Sequence, residues 1–163
     1  MTNRRGPSRC DLARRLLDRR GELEIRVSGR SMLPSLRPDD TMLLVPINER
    51  LSLGDLVVYP GRRSLEPVLH RAVHVDENVI RLVGDNAIVF TDIRREDAVG
   101  MVRALFWGGS WRPVSVASEH GLCIAELNAL ICGVSASGKL GLVTRFQNER
   151  RAECLRWRAC VCG

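Results

Sequence analysis

The sequence predicts a mainly β protein: a compact antiparallel β domain over residues 23–117, preceded by a basic N-terminal helix (1–22) and followed by a helical C-terminal extension (118–163). Three observations predict this arrangement. Apolar and polar residues alternate from Leu23 onward, turn-forming residues recur at short intervals, and the apolar period lengthens after Ser118. A chain of 163 residues suffices for one domain with a modest core.

The first element is a short amphipathic helix over residues 10–20, CDLARRLLDRR. Leu12, Leu16 and Leu17 share one helical face, and the arginines lie elsewhere on the helix. Gly21 provides the stop signal.

The β domain is a series of short strands separated by turns. Leu23, Ile25 and Val27 alternate with polar residues, which indicates a half-buried strand. Further strands are predicted at 41–45, 55–59, 68–75, 79–83 and 99–106. The turn 107–110, WGGS, leads into a last strand at 111–116.

The C-terminal extension reads as two helices. Ser118 can cap a helix that runs to about residue 132. A Gly/Ser-rich break at 133–141 follows, and 142–158 reads as a second helix rich in arginine.

Composition narrows the functional classes. The net charge is +6 and is carried almost wholly by arginine, because Lys139 is the only lysine. Six cysteines form no CxxC pair, so we expect neither a metal nor another cofactor, and scattered thiols suit a reducing compartment. No signal peptide and no apolar run of about 18 residues is evident, so we expect a cytoplasmic chain that is at most peripheral to a membrane.

The stretch 27–36, VSGRSMLPSL, offers a serine nucleophile at Ser31. A serine hydroxyl needs a base to remove its proton and donors to hold the developing oxyanion. Lys139 lies in the Gly/Ser-rich break and is a poor candidate for the base. His70 and His74 belong to one predicted strand, where a period of two places them on the same face.

Two aspartates could orient such a histidine. Asp85 lies in the Gly-Asp-Asn sequence 84–86, which also reads as an ordinary turn, and Asp92 follows a short apolar run.

Taken in order, the segments VSGRSMLPSLRPDD, LSLGDLVVY, VLHRAVHV, VGDNAIVFTD and AVGMVRAL resemble the signal peptidase I family, within the larger S24/S26 group that includes LexA-like self-cleaving proteins. The resemblance covers roughly residues 25–105. Gly-x-Ser-Met-x-Pro matches the family's nucleophile motif. His70-Arg71 falls where bacterial members carry Lys-Arg and where archaeal and endoplasmic-reticulum members carry His-Arg.

This resemblance implies a serine endopeptidase with a signal-peptidase/LexA-like β fold. It assigns Ser31 as nucleophile and His70 as general base, with Asp92 or Asp85 orienting the imidazole. It also implies that the backbone N–H of Ser31 contributes to the oxyanion hole, while Gly29, Met32 and Pro34 shape the substrate cleft. Some relatives carry a serine two positions before the nucleophile, where this chain has Gly29.

The chain departs from typical signal peptidases in two respects. Its residues before the nucleophile box are basic and polar, and only thirteen residues separate His70 from Gly84, which leaves no space for a second β domain. We therefore expect a minimal catalytic core that acts on a peptide or protein substrate, such as the leader of a small modified peptide. The alternatives are a catalytically idle peptide-binding module and a LexA-like regulator, but the N-terminal segment is too short for a DNA-binding module and no nucleic-acid partner is expected.

The arginine-rich helix suggests a further hypothesis. Five arginines cluster over 142–158 with large apolar side chains nearby, as in helices that lie on anionic membranes. Peripheral membrane contact through this helix competes with a simpler interpretation, in which it packs on the β domain and exposes a solvated basic face.

Overall fold

The computed structural model describes residues 6–47, 51–62, 66–136 and 140–163, and it confirms the mainly antiparallel β fold. Within these ranges the elements are α1 (Arg9–Arg20), β1 (Leu23–Arg26), β2 (Thr41–Val45), β3 (Leu56–Pro60), β4 (Pro67–Val75), β5 (Val79–Val83), β6 (Thr91–Arg94), β7 (Gly100–Trp107), β8 (Ser110–Pro113), α2 (Ser118–Ala136) and α3 (Leu140–Cys162). Short 3-10 turns occupy Arg95–Asp97 and Val114–Ala117.

All these strands join one antiparallel sheet in the order β1-β2-β7-β3-β4-β5-β6, and β8 pairs with β7. The strand β7 is late in the chain but lies between β2 and β3. In the strand order, β1 and the β4-β5 pair therefore lie on opposite sides of β7.

The helix α1 begins and ends where local signals require it. The Ser8 side chain accepts a hydrogen bond from the Asp11 N–H while the Asp11 carboxylate accepts from the Ser8 N–H, a complete capping box. Gly21 adopts a left-handed conformation with φ 75° and donates its N–H to the Leu17 carbonyl. Leu17 is buried against the sheet.

Both faces of the sheet are covered at its centre, and β3 shows this most clearly. Leu56 and Val58 join a core shared with the helices, which we call the helix-side core. Val57 and Tyr59 join a second cluster with Leu82 on the opposite face, which we call the outer core. Because successive side chains of a strand point to opposite faces of the sheet, β3 contributes residues to both cores.

The C-terminal extension is part of the helix-side core. Ile124 from α2 and Trp157 from α3 pack in the same cluster as Leu44 and Leu105 of the sheet. The extension is therefore not separable from the β domain. No helix in the described part of the chain has the length and apolar character to cross a membrane.

Three local predictions need correction. Strand β6, Thr91–Arg94, was missed, because its four residues of mixed polarity carry little β signal. The last strand stops at Pro113, since the chain turns into a 3-10 helix. The break predicted at 133–141 is shorter, as α2 reaches Ala136, and Lys139 lies outside the described residues.

A β-bulge in β4 corrects a fourth prediction, that His70 and His74 share a face. Ala72 pairs with Leu82, but the next paired residue is His74, opposite Arg81. The extra residue between them shifts the alternation by one position. His74 consequently leaves the face that carries His70 and pairs with Asp76 at the surface.

Candidate active site

The Ser31 turn is fixed from beneath by buried apolar side chains. Residues 31–36 form a tight turn in which the Leu36 N–H donates to the Met32 carbonyl at 2.9 Å. Met32 and Leu36 are buried in the helix-side core. Ser31 itself is half-buried and lines a cleft. The turn thus anchors its apolar members and leaves the serine at the surface of a groove.

The Gly-Asp-Asn turn holds the Ser31 backbone against His70. The Asn86 N–H donates to the Ser31 carbonyl at 2.7 Å. A Cβ placed on Gly84 would lie 2.7 Å from the Ser31 carbonyl oxygen and 3.1 Å from the Nε2 atom of His70. Only glycine permits this approach, because the first distance is shorter than real Cβ contacts. Gly84 is therefore where three separate sequence motifs meet.

His70 presents a neutral imidazole at this junction. Its Nδ1 atom lies 2.9 Å from the Tyr59 hydroxyl, and Nε2 faces Gly84 and the Ser31 backbone. Burial lowers the pKa of His70, and the charge of Asp85 opposes that shift. Among the described residues no hydrogen bond joins the Ser31 hydroxyl to the imidazole. Such contacts commonly tighten when substrate binds.

Neither predicted aspartate hydrogen-bonds to His70. The Asp92 carboxylate accepts from Arg81 at 2.7 and 2.9 Å. Because Asp92 alternates with Thr91 along β6, it faces away from the outer core, where His70 and Tyr59 meet. The prediction that Asp92 orients His70 is therefore wrong for this geometry.

Asp85 has a different task from the one predicted. It is buried, and its two oxygens accept from the Arg71 side chain at 2.9 and 2.7 Å. It acts on His70 through its charge and not through a hydrogen bond. Its direct structural role is to anchor the turn that carries Gly84 and Asn86.

The helices complete this anchor with two buried polar side chains. Asn128 of α2 donates to Asp85 at 3.2 Å and accepts from Arg150 of α3 at 2.8 Å. The same Arg150 nitrogen donates to the Ala87 carbonyl at 2.7 Å. Burial lowers the pKa of Arg150. We call this set, Arg71, Asp85, Asn128 and Arg150, the buried polar network.

The cleft beside Ser31 has a volume of about 590 Å³ and an apolar floor. It runs between the residues after β1 and the start of β4, and Gly29 and Met32 line it as expected. Pro34 does not line it. Among the described residues, β1 pairs only with β2, so its outer edge faces the cleft without a partner strand.

The Ser31 N–H is available as an oxyanion donor. In the described ranges it donates to no acceptor, whereas the Ser31 carbonyl is occupied by Asn86. No side-chain hydroxyl stands at Gly29, and a Cβ there would meet open space. No steric contact within the described residues therefore requires glycine at position 29.

Comparison with family models, with curated proteins and with solved structures finds no match to this chain. The resemblance to signal peptidases consequently depends on the ordered sequence motifs, and the chemistry of the site must be argued from its own geometry.

Sequence reasoning missed Tyr59, Asn128 and Arg150. Tyr59 read as one apolar residue of a strand, and nothing in the local pattern distinguished its hydroxyl. Asn128 interrupts an otherwise apolar helical stretch, and a buried amide needs a partner. That interruption was the available signal for a polar contact beneath α2.

Proposed function

We propose that the protein is a serine endopeptidase of the signal peptidase I-like type. Ser31 acts as nucleophile and His70 as general base. The observation that carries the proposal is the junction at Gly84, where the Ser31 turn and the Nε2 atom of His70 adjoin the same glycine. A serine beside a neutral, partly desolvated histidine is the minimum that nucleophilic acyl transfer requires.

The reaction follows from these positions. The Ser31 oxygen attacks the scissile carbonyl while His70 takes its proton at Nε2, and the carbonyl oxygen becomes an oxyanion that the Ser31 N–H can stabilise. The protonated imidazole then gives its proton to the leaving amine, and an acyl-enzyme remains. Water attacks the ester, His70 again accepts a proton, and release of the acid regenerates the Ser31 hydroxyl.

The cleft supports an extended peptide as substrate. The outer edge of β1 can pair with a peptide backbone, as in other cases of β-strand addition. Apolar side chains from Met32, Met42 and Val58 form the floor, so small or apolar substrate residues fit it. Both features favour cleavage within a peptide over hydrolysis of a small ester.

The test is covalent labelling of Ser31 by a fluorophosphonate probe, followed by mass spectrometry of the labelled peptide. We expect labelling of the wild-type chain, none in Ser31→Ala, and unchanged labelling in Ser28→Ala, an exposed serine in the same cleft. Cleavage of a peptide library by the wild type should fall at least about a thousandfold in Ser31→Ala. Retained cleavage in Ser31→Ala would reject the proposal.

A catalytically idle peptide-binding module is the second candidate. Two observations favour it: no hydrogen bond joins Ser31 to His70 within the described ranges, and Gly29 supplies no hydroxyl to the oxyanion hole. Loss of one such donor can reduce the rate about 100-fold or more. Peptide binding by the wild type with neither labelling nor cleavage would establish this alternative.

A further inference from the structure

An ion pair joins the two walls of the cleft at a distance from Ser31. The Arg9 side chain donates to the Glu66 carboxylate at 3.2 Å, and both residues line the cleft. Arg9 is the first residue of α1, which contacts β1, whereas Glu66 immediately precedes β4. We call these two residues the cleft ion pair. The other charged residue of the lining, Arg26, alternates along β1 with Ile25, which packs on the helix-side core, so the Arg26 side chain points to the opposite face.

The backbone at both ends of the cleft ion pair is held in place. Cys10, next to Arg9, is buried in the helix-side core, and Ser8 caps the helix at the same end. The Glu66 carbonyl accepts from the Gly61 N–H at 2.8 Å, directly beyond the last residues of the β3-β4 pairing. The side chains themselves remain 78% and 50% exposed. The pair therefore has a defined position and is accessible to a peptide in the cleft.

The spacing along β4 gives the distance from the pair to the reaction. Glu66 lies four residues before His70, and the β3-β4 register is regular from Pro67 to Arg71. At about 3.3 Å per residue, this separation is about 13 Å along the strand. A peptide that lies extended in the cleft has the same rise per residue. Its side chain about four residues from the scissile bond therefore reaches the cleft ion pair.

An ion pair at this place disfavours a charged substrate side chain. A charge that approaches a positive and a negative group together is attracted by one and repelled by the other, so the two Coulomb energies largely cancel. The same side chain loses water above the apolar floor of the cleft, and the pair can replace that hydration only by breaking the bond between Arg9 and Glu66. An uncharged side chain meets neither penalty.

We propose that Arg9 and Glu66 are specificity-determining residues, and that their ion pair selects an uncharged substrate side chain about four residues from the scissile bond. The inference rests on the proposed function, because the position is counted from the bond that is cut. It adds the class of substrate: a peptide that is uncharged at this position.

Single substitutions should make this position selective for charge, in opposite directions. In Arg9→Gln the Glu66 charge is no longer offset by Arg9, so Lys should be favoured; in Glu66→Gln, Glu should be favoured. We expect kcat/KM for the favoured charge, relative to Gln at the same substrate position, to rise about two- to fivefold, the range of exposed ion pairs. Peptide libraries that place Lys, Glu or Gln at each position in turn measure this ratio. Opposite shifts at no position, or at every position, would overturn the inference.

Matched controls separate the pair from the net charge of the chain. Arg19→Gln and Glu22→Gln make the same charge changes at exposed positions that do not line the cleft, and we expect no shift from them. The reversed pair Arg9→Glu/Glu66→Arg should restore the wild-type profile. The shifts should shrink at about 1 M salt, where the Debye length is about 3 Å. A reversed pair that keeps the profile of a single variant would contradict the assignment.

Binding to the Ser31→Ala chain distinguishes this inference from the peptidase. The probes are two fluorescein-labelled pools of short peptides, uncharged except for one Lys in the first pool and one Glu in the second. By fluorescence anisotropy, adding Arg9→Gln should tighten binding of the Lys pool, and adding Glu66→Gln that of the Glu pool. These shifts in a chain that cleaves nothing would support the ion pair and reject the peptidase. Wild-type cleavage with no shift in any variant would overturn the inference and leave the peptidase standing.

Discussion

His70 and Arg71 are neighbours in β4, but the two faces of the strand give them opposite chemistry. His70 is half-buried, and the one hydrogen-bond partner of its side chain within the described ranges is the neutral Tyr59. Arg71 is fully buried against the helices, where Asp85 binds its guanidinium through two nitrogens and the Gly54 carbonyl accepts a third bond.

The difference lies in which charge state each environment favours. Desolvation acts on both side chains. Desolvation lowers the pKa of His70. It also acts to lower the pKa of Arg71, but the charge and hydrogen bonds of Asp85 outweigh it, so the pKa of Arg71 is raised. One face therefore holds a base that can change its charge, and the other holds a permanent ion pair. The ion pair fixes the Gly84–Asn86 turn, and that turn fixes Ser31.

Removing the charge of Arg71 should have the largest effect on stability. Arg71→Met leaves Asp85 buried without its cationic partner, and breaking a buried ion pair costs about 3–5 kcal/mol. We expect urea denaturation to show a decrease of that size in the free energy of unfolding. Arg81→Met is the matched control, since Arg81 forms a similar pair with Asp92 at the surface, where such pairs contribute about 0–1 kcal/mol.

The double variant Arg71→Met/Asp85→Leu sharpens the comparison. Replacing both members of a buried pair by apolar groups can be nearly neutral. We expect the double variant to be more stable than Arg71→Met alone. A double variant that is less stable would show that Asn128 and the Gly54 carbonyl depend on the pair as hydrogen-bond partners.

On the other face, His70→Gln should affect activity and leave stability near that of the wild type at neutral pH. Loss of a general base typically reduces the rate about 10²–10⁴-fold. The control is His74→Gln, because His74 is exposed and pairs with Asp76. We expect full activity from the control. Equal losses in the two variants would remove His70 from the mechanism.

The buried polar network should show an intermediate effect. Asn128→Leu leaves one Asp85 contact and one Arg150 contact unsatisfied, and an unpaired buried polar group costs about 1–3 kcal/mol. Because Arg150 also holds Ala87, we expect slower labelling of Ser31 in the fully folded variant. Asn148→Leu, at an exposed position of α3, is the control. Unchanged labelling with lower stability would limit Asn128 to a structural role.

Features of the fold and the site that depend on neighbouring residues in the sequence could be predicted, whereas those that depend on contacts between distant residues could not. The strands 41–45 and 79–83 were predicted at their observed bounds, since alternation is a local signal. The Ser31 and Gly84-Asp85-Asn86 motifs were identified from the resemblance, but the contact between Gly84 and Ser31 was not predicted. The partners of His70 could not be predicted, because Tyr59 lies on a different strand and meets His70 only through the pairing of β3 with β4.

Mild acid should lower the stability of the chain through His70, on one face of β4, and the effect should be smaller than those of the substitutions above. The pKa of His70 is lower in the folded chain than its unfolded value of about 6.5. The unfolded state therefore binds the proton first, so stability is full above that value and is lost as pH falls toward the folded pKa. We expect the unfolding free energy to decline as pH falls below about 6.5, and the decline to be weaker in His70→Gln. An identical decline in both chains would assign it to other groups.

The pH dependence of activity has a defined direction as well. Since the neutral imidazole is the base, labelling of Ser31 should rise as pH increases through the folded pKa of His70, which lies below the ordinary histidine range. Asp85 opposes the lowering, so loss of its charge in Asp85→Asn should move this rise to lower pH. A rise at the pH where lysine titrates would instead point to a different base.

The smallest expected effect concerns membrane contact through α3. Of the arginines in the predicted segment 142–158, Arg150 and Arg158 are buried and bind protein acceptors, with Arg158 held by Asp40 at 2.6 and 3.1 Å. Exposed Arg145 is paired with Glu149. The positive charge that α3 can offer to a lipid surface is therefore much smaller than its sequence suggests.

A chain truncated after Ser118 would lack α3, but it cannot serve as the control for membrane binding. The truncation would also remove Ile124 and Trp157 from the helix-side core. The double variant Arg145→Gln/Arg151→Gln changes only exposed positions of α3. A basic residue at an anionic surface contributes about 1 kcal/mol, and ion pairing within the protein reduces that. We therefore expect co-sedimentation with phosphatidylserine vesicles at low salt to change less than about tenfold between the two chains. A larger, salt-sensitive loss in the double variant would instead show that this face of α3 binds the membrane.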